Sequence, residues 1–541
     1  MGAKKPTVHT WQPGNLHLLC KLFLGMTVVV VIFNSALMGF IPHAAISPGP
    51  NDVRDTHRDN FLSEPQVLIK TIHEGEGFAF KPKESDFVPL VERLHMSLLH
   101  SACMSNADAI ITWEYGVDGK ANEEVLIPRD DPRVLDELRR CPDVDIYLPG
   151  SLRGNGYCED GCAYAQYLNS RLLPGWVFED RFFDKSTNQS TSYHELCPRT
   201  PLLFFNHYWD SRHEAEDWPQ EKPIYVMPNI EMGQLQATDY WRADVVLCKT
   251  NGCYDRMTQW YEQEGNPRGT AVFYTRHTTS DVASYTRHIL GEDIRPKNFA
   301  DVRFTHTAGS SVHKGTPAVV ECWLSRPDLP QLDLYMSQGL YEFYHRDHYG
   351  VQINASKNIN LVRAGLNNLQ FGQIIAESAF FLCPSSMEGY GHYINQARSS
   401  GGVIITTDAH PMNELIPVPD GGIYVKTERA THPHMLLGGG FEGGHGLRGF
   451  EDDGLVAKFS TADLCDAVDT VLNMTAAQRE SMAERVQLQY HEDTKVFANQ
   501  MRELRAYARE QLMLGDSEAL TGILGVNGHE NRNRLRQGDT R

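Results

Sequence analysis

The sequence predicts an α/β protein built from two doubly wound domains in tandem, behind one N-terminal membrane helix. Three observations carry that expectation. Short apolar, β-branched runs alternate with helical stretches from residue 66 to 475, which puts helices on both faces of mostly parallel sheets. The alternation pauses and restarts around residues 295–301, which sets a linker there and divides 66–297 from 298–475. Residues 22–41 form an apolar run of about the 20 residues that a membrane helix requires.

Taken in order, Lys4, Lys5 and Lys21 precede the apolar run, and Asp52, Asp55 and Asp59 follow it. Positive charge stays cytoplasmic, so residues 1–21 read as a cytoplasmic tail and the remainder as lumenal. The run is long for the apolar core of a signal peptide, and the leader before it is long too. Both favour an uncleaved signal anchor over a cleaved peptide. Residues 42–65 are rich in Pro, Asp and Arg without periodicity, which suits a stem. Three acceptor sequons, at Asn188, Asn354 and Asn473, fit a lumenal chain in the Golgi or ER membrane. Eleven cysteines, ten of them beyond the anchor, permit disulfides without fixing a pattern. Neither Cys158 with Cys162 nor Cys248 with Cys253 has the company a zinc site needs, so no metal is expected. The net charge of −19 excludes the broad basic surface that nucleic acid demands.

The first domain carries candidate strands at 109–113, 145–148, 202–205, 223–227, 244–248 and 270–274. Helical stretches at 132–140 and 254–262 fall between them, and 150–200 reads as an elaborated loop region. In the second domain the candidates are 302–306, 332–335, 359–362, 379–383, 403–407 and 422–425. Residues 437–449, rich in Gly and His, read as a mobile loop, 476–515 as C-terminal helices, and 516–541 as a disordered tail.

One stretch concentrates the chemistry. Ala379-Phe-Phe-Leu-Cys383 is a buried strand by its apolar run, Pro384-Ser-Ser breaks it, and Gly389-Tyr390-Gly391 can bend sharply. A helix from His392 and a second β-branched strand follow, so the turn at Glu388 sits at the carboxyl end of a parallel strand. Open α/β sheets bind ligands there, and helix-start N–H groups favour phosphate. His392 and Gln396 are four apart, hence on one helical face. The plain alternative is an ordinary crossover with polar surface residues.

That stretch resembles the donor-binding motif of the retaining GT-B glycosyltransferases of the family-four type, the group that includes sucrose synthase. Pro384-Ser385, Glu388-Gly-Tyr-Gly391 and Gly401-Gly-Val-Ile-Ile match; the family's second Glu is Gln396 here. The resemblance implies twin Rossmann-like domains facing a cleft, with a C-terminal helix crossing back onto the first. It implies that Glu388 contacts the donor sugar, that position 396 contacts the ribose, and that Gly389, Tyr390, Gly391 and His392 line the donor site. The reaction implied is sugar transfer from a UDP- or GDP-sugar to a glycan, lipid or protein acceptor, with retention and without cofactor or metal. A donor-binding pseudoenzyme is the alternative, motivated by Gln396.

Gly309-Ser310 to Lys314-Gly315 follows the first strand of the second domain, with Thr316 as helix cap and Pro317 as first helical residue. Lys314 there neutralises a diphosphate, and Lys314-Gly315 matches the family. Ser310 stands where the family has an arginine, whose part falls to Arg303, Arg363 or Arg398. Arg363 closes another strand, beside the nucleobase by resemblance or in a plain connection. Glu414 ends a short loop near the donor sugar by resemblance, or merely sits in a helix's first turn. In the first domain, His207 and Glu231 follow strands and are cleft candidates, His207 as a catalytic one.

Overall fold

Strands form where the sequence shows continuous apolar runs, because a strand covered by helices on both faces has no polar side to present. The first sheet comprises β1 (Ile110–Thr112), β2 (Leu126–Ile127), β3 (Asp145–Tyr147), β4 (Arg171–Leu173), β5 (Leu202–Phe205), β6 (Ile224–Met227), β7 (Val245–Cys248) and β8 (Ala271–Tyr274). Their spatial order is β8-β7-β6-β5-β3-β4-β1-β2. Strands β3 to β8 run parallel, and β1 pairs antiparallel with β4 and β2.

The second sheet comprises β9 (Phe304–Gly309), β10 (Leu332–Met336), β11 (Ile359–Arg363), β12 (Phe380–Cys383), β13 (Val403–Thr407) and β14 (Ile423–Val425). Its order, β11-β10-β9-β12-β13-β14, is parallel throughout. This is the doubly wound dinucleotide-binding order, whose direction reverses between β9 and β12. The first sheet reverses between β3 and β5.

The computed structural model describes residues 82–535 except 155, 364, 417–419 and 442, with side chains through Leu514. These residues belong to one unit, Gly75–Arg541. The expected anchor at 22–41 and the stem lie outside the described residues. Among the described residues no helix is long and apolar enough to cross a membrane.

Seven helices position the cleft: α1 (Leu90–Ser105), α2 (Tyr157–Leu168), α3 (Asn251–Glu264), α4 (Thr316–Ser325), α5 (His392–Ser399), α6 (Thr461–Asn473) and α7 (Ala476–Leu535). Helix α7 ties the lobes together. Its Met482 and Ala483 pack in the second-lobe core, and Phe497, Met501, Leu504 and Ala508 pack in the first. Each large side chain so buried contributes about 1.5–3 kcal/mol. The crossing back onto the first lobe is as expected, but the helix continues to Leu535, across residues 516–535 of the expected disordered tail.

Two expectations fail outright. Residues 150–200 are not a loop region, since they hold α2 and β4, both in the first core. Nor is 437–449 a free loop. Met435, Leu436, Leu437 and Leu447 pack into a first-lobe core, while Arg256, Gln259, Trp260 and Gln263 of α3 donate to backbone carbonyls of Leu437, Arg448, His445 and Gly446. The segment is a strap from the second lobe across α3.

Disulfides Cys103–Cys158, Cys141–Cys197, Cys248–Cys253 and Cys322–Cys465 supply the pattern the sequence left open. Cys162 and Cys383 are buried free thiols.

Burial pushes the imidazoles of His194, His213, His277, His306 and His491 down to about 4. An unfolded chain protonates these groups near 6.5, so between 6.5 and 4 it binds more protons than the native one. Stability is therefore expected to fall as pH drops through that window. Melting temperatures recorded from pH 7.5 to 4.5 check this; a flat profile contradicts it.

Candidate functional site

The carboxyl edges of β9 and β12 lie side by side at the reversal point of the second sheet, and two loops leave them. Residues 309–315 follow β9; residues 384–391 follow β12. Ser386 N–H donates to the His313 carbonyl at 2.7 Å, which joins the loops. Gly315 makes their approach possible: it has φ +68°, and an added Cβ would lie 2.1 Å from the Pro384 carbonyl oxygen. Gly315, not Thr316, precedes the first residue of α4. The Thr316 hydroxyl instead lies 3.0 Å from His306 Nε2.

On this frame Lys314 Nζ forms an ion pair with Glu388 and sits 3.6 Å from the centre of the Tyr393 ring. Ser385 Oγ donates to the same Glu388 oxygen and also bonds the Tyr393 hydroxyl. The Lys314 and Glu388 side chains keep 15% and 13% exposure, enough to be reached from the cleft and too little to be solvated freely. An ammonium has three protons to donate, and a carboxylate accepts several hydrogen bonds. The pair therefore retains capacity for a ligand carrying both anionic oxygens and hydroxyls.

The first lobe meets this edge through α2. Its first turn carries Glu159 and Asp160, both buried. Asp160 Oδ1 lies 2.9 Å from His277 Nε2, 3.1 Å from His392 Nε2 and 3.3 Å from Lys249 Nζ. Burial alone would raise the Asp160 carboxyl, but Lys249, His392 and His277 hold it well below the ordinary range. Glu159 accepts from Ser280 N–H and Oγ, each at 2.8 Å, and from Gln396 Nε2 at 2.9 Å. It too is lowered: burial raises it, and His100, His392 and Ser280 outweigh that. Two carboxylates at the start of α2 thus face the start of α5, where both helix dipoles favour negative charge.

His392 and Gln396 do share one helical face, but that face turns to α2, and the Gln396 amide is engaged by protein. His392 Nδ1 also lies 3.0 Å from Thr279 Oγ1. Asp160, His277 and His392 form a group whose ligand atoms lie within 4.8 Å of one another, the arrangement a divalent cation accepts. Lys249 already supplies positive charge to the same carboxylate, and a second cation there would meet its repulsion.

The remaining expected residues are placed as follows. Tyr390 is buried; its hydroxyl bonds the His277 carbonyl and accepts from Asn395 Nδ2 at 2.8 Å, so it braces the seam. Gly391, with φ +100°, precedes α5. Gly389 lies against the first lobe: an added Cβ would meet Asn229 Oδ1 at 2.4 Å and Glu231 Oε1 at 2.8 Å. Gly309 and Ser310 are exposed on the rim.

Of the three arginines, Arg303 pairs with Asp333 near the amino ends of their strands, and Arg398 is buried with Asn395 and Asp493. Only Arg363 stands at the carboxyl edge, exposed, with its guanidinium 4.7 Å from the Tyr341 ring centre. Glu414 has another partner than the one expected. It accepts from the N–H groups of Asn251 and Gly252 at 2.7 and 2.9 Å, capping α3 of the opposite lobe. His207 packs edge-on against Trp209 and forms no hydrogen bond or ion pair with Lys314 or Glu388.

Sequence reasoning missed Glu159, Asp160, Lys249 and His277, which come together only when three separated elements converge. Nothing in their local spacing announces it.

A cavity of about 350 Å³ lined by His213, Trp218, Lys222, Arg242 and Arg268 lies beside the start of β6, away from the carboxyl edge. Lys222 there is pushed down to about 7 by burial and donates to the Cys197 and Thr200 carbonyls.

No protein-family model and no curated protein matches the chain. Among solved structures, similarity extends to an α,α-trehalose-6-phosphate synthase from Burkholderia multivorans, with TM-score 0.41 and 11% identity over 60% of this chain and 72% of that one. Anabaena HepE in complex with UDP and glucose gives TM-score 0.34 and 14% identity over 54% and 72%. Sucrose-phosphate synthase from Thermosynechococcus elongatus gives 0.34 and 12% over 61% and 76%.

Proposed function

We propose that this chain is a glycosyltransferase that takes a sugar from a UDP- or GDP-sugar held between its lobes. The observation that carries the reading is the Lys314–Glu388 pair, poised at the reversal point of a parallel sheet and joined by glycine-dependent loops. Lys314 faces the diphosphate and neutralises the charge that grows on it as the glycosidic bond breaks. Glu388 accepts from hydroxyls of the transferred sugar and fixes its orientation. Arg363 is the rim cation that reaches the nucleotide. The acceptor, a glycan, lipid or protein, enters from the first lobe. Transfer is metal-independent in this reading, because Lys314 supplies the positive charge. Retention follows from front-face attack assisted by the leaving diphosphate, with no nucleophile assigned in the protein.

A donor-binding pseudoenzyme is the second reading, favoured by one observation: the Gln396 amide N–H donates to Glu159 of the opposite lobe. Incubation with UDP-glucose, UDP-N-acetylglucosamine and GDP-mannose, following released nucleotide, separates the two. Turnover that Glu388→Ala abolishes supports the enzyme, and saturable binding without turnover supports the second reading.

The same proposal places the chain in an oxidising lumen behind a single-pass anchor at the Golgi or ER. Four disulfides among the described residues suit such a compartment. Asn188, Asn354 and Asn473 are all exposed, as glycan acceptors must be. Protein from a secretory-pathway host is expected to lose three glycans stepwise on partial deglycosylation; an unshifted band contradicts the lumenal placement.

A further inference from the structure

The loop after β6 brings two polar side chains against the Gly389 turn, each with one buried oxygen that no protein group satisfies. Asn229 Oδ1 and Glu231 Oε2 are buried without a hydrogen-bond partner. Both residues press on Gly389, where any larger residue would collide with Asn229 Oδ1 and Glu231 Oε1. Gly389 follows Glu388 in the chain, whereas Asn229 and Glu231 belong to the opposite lobe. A buried polar atom left unpaired forfeits its hydration without compensation, so two in one spot call for a ligand that satisfies both. The amide oxygen requires a donor. A hydroxyl is the group that donates to one neighbour while accepting from another.

We infer that Asn229 Oδ1 and Glu231 Oε2 form a subsite for one sugar hydroxyl, and that Glu231 is a specificity-determining residue of the transfer. This rests on the nucleotide-sugar reading above and adds the residues that recognise the carbohydrate from the first lobe. The hydroxyl belongs either to the transferred sugar or to the acceptor; the chemistry is shared, and the test distinguishes them.

Burial pushes the Glu231 carboxyl up to about 7; Lys249 opposes this, while Glu388 and Asp160 reinforce it. Besides these groups, the phenols of Tyr157 and Tyr240 also face it. Below neutrality Glu231 carries a proton and donates it in a hydrogen bond to the hydroxyl, whose own proton goes to Asn229 Oδ1. As pH rises through 7 the donor is lost. Ionisation of Glu231 also destabilises the fold, because between 4.5 and 7 the native state holds a proton that the unfolded chain has released. Glu231→Gln is therefore expected to melt above wild type at pH 8 and to lose that advantage by pH 4.

The kinetic test uses the full chain with UDP-glucose, UDP-N-acetylglucosamine and GDP-mannose, with UDP and GDP as sugar-free controls and methyl glycosides as acceptors. Asn229→Ala is expected to raise one KM about tenfold, the value of one lost hydrogen bond, with nucleotide affinity unchanged. A rise in donor KM assigns the hydroxyl to the transferred sugar, and a rise in acceptor KM assigns it to the acceptor. Glu231→Gln keeps a donating N–H at every pH, so its kcat/KM is expected to stay level from pH 6 to 8, where wild type falls. Melting curves verify that each variant is folded. A wild type that binds none of the panel overturns the nucleotide-sugar reading and the subsite with it. A wild type that turns one over, with variants matching it in KM and pH profile, overturns the subsite alone.

Discussion

Lys314→Ala is expected to lower kcat for sugar transfer by about 10²–10³, with a smaller change in donor KM. Among the assigned site residues, Lys314 alone is a cation both at the reversal point of the second sheet and in contact with Glu388. Charge on a leaving diphosphate grows most in the transition state, so a fixed ammonium acts there more than in the ground state. Glu388→Ala is expected to reduce activity too, and the double variant to lose less than the sum of the singles, because the residues hold each other in place. Steady-state rates for the four proteins check this. A Lys314→Ala enzyme within threefold of wild type would remove Lys314 from the chemistry.

The second large effect is expected at Gly315, which touches no ligand in this account. Its left-handed backbone costs an alanine about 1–2 kcal/mol. The larger difficulty is the Pro384 carbonyl oxygen, 2.1 Å from where the Cβ would stand. Backbone cannot rotate aside as a side chain does, so the loops carrying Lys314 and Glu388 must part. A displacement of about 1 Å costs up to 10²-fold in rate. Gly315→Ala is thus expected to lose activity well beyond its loss of melting temperature. By contrast Gly309→Ala, with open space around the Cβ, should show only the backbone cost. Equal activity losses in the two variants would contradict the clash.

How much was legible in the sequence depends on whether the information was local. Ala379 to Cys383 announces a buried strand because its apolar run is unbroken, and the glycine turn and helix after it obey short-range rules. Strand β4 escaped notice for the opposite reason. It is three residues long and begins with Arg171, a charge that reads as surface. In the fold that guanidinium is buried against Asp145, at 2.8 and 3.1 Å. Helix α2 was hidden likewise: Glu159 and Asp160 interrupt its apolar pattern, yet they are buried because His392, Gln396, Lys249 and Ser280 reach them from elsewhere. The strap at 437–449 has no periodicity, since α3 holds it by its backbone carbonyls, which no residue type reveals.

Residues four apart in α5 were placed on one face, but spacing cannot say what that face meets. Gln396 and His392 turned out to serve the lobe interface. Glu414 does the same from the other side, capping α3. Together with the strap and α7, these contacts join the lobes beside the Lys314–Glu388 pair. Several residues expected at the donor site thus make contacts between the lobes.

The most direct measurement is calorimetric titration of the full chain and its Lys314→Ala variant with UDP, GDP and the three nucleotide sugars. The account predicts saturable binding of at least one of them to wild type, weakened about tenfold or more in the variant by loss of a charge-assisted hydrogen bond. Wild type that binds none of them, or a variant that binds as tightly, would contradict it.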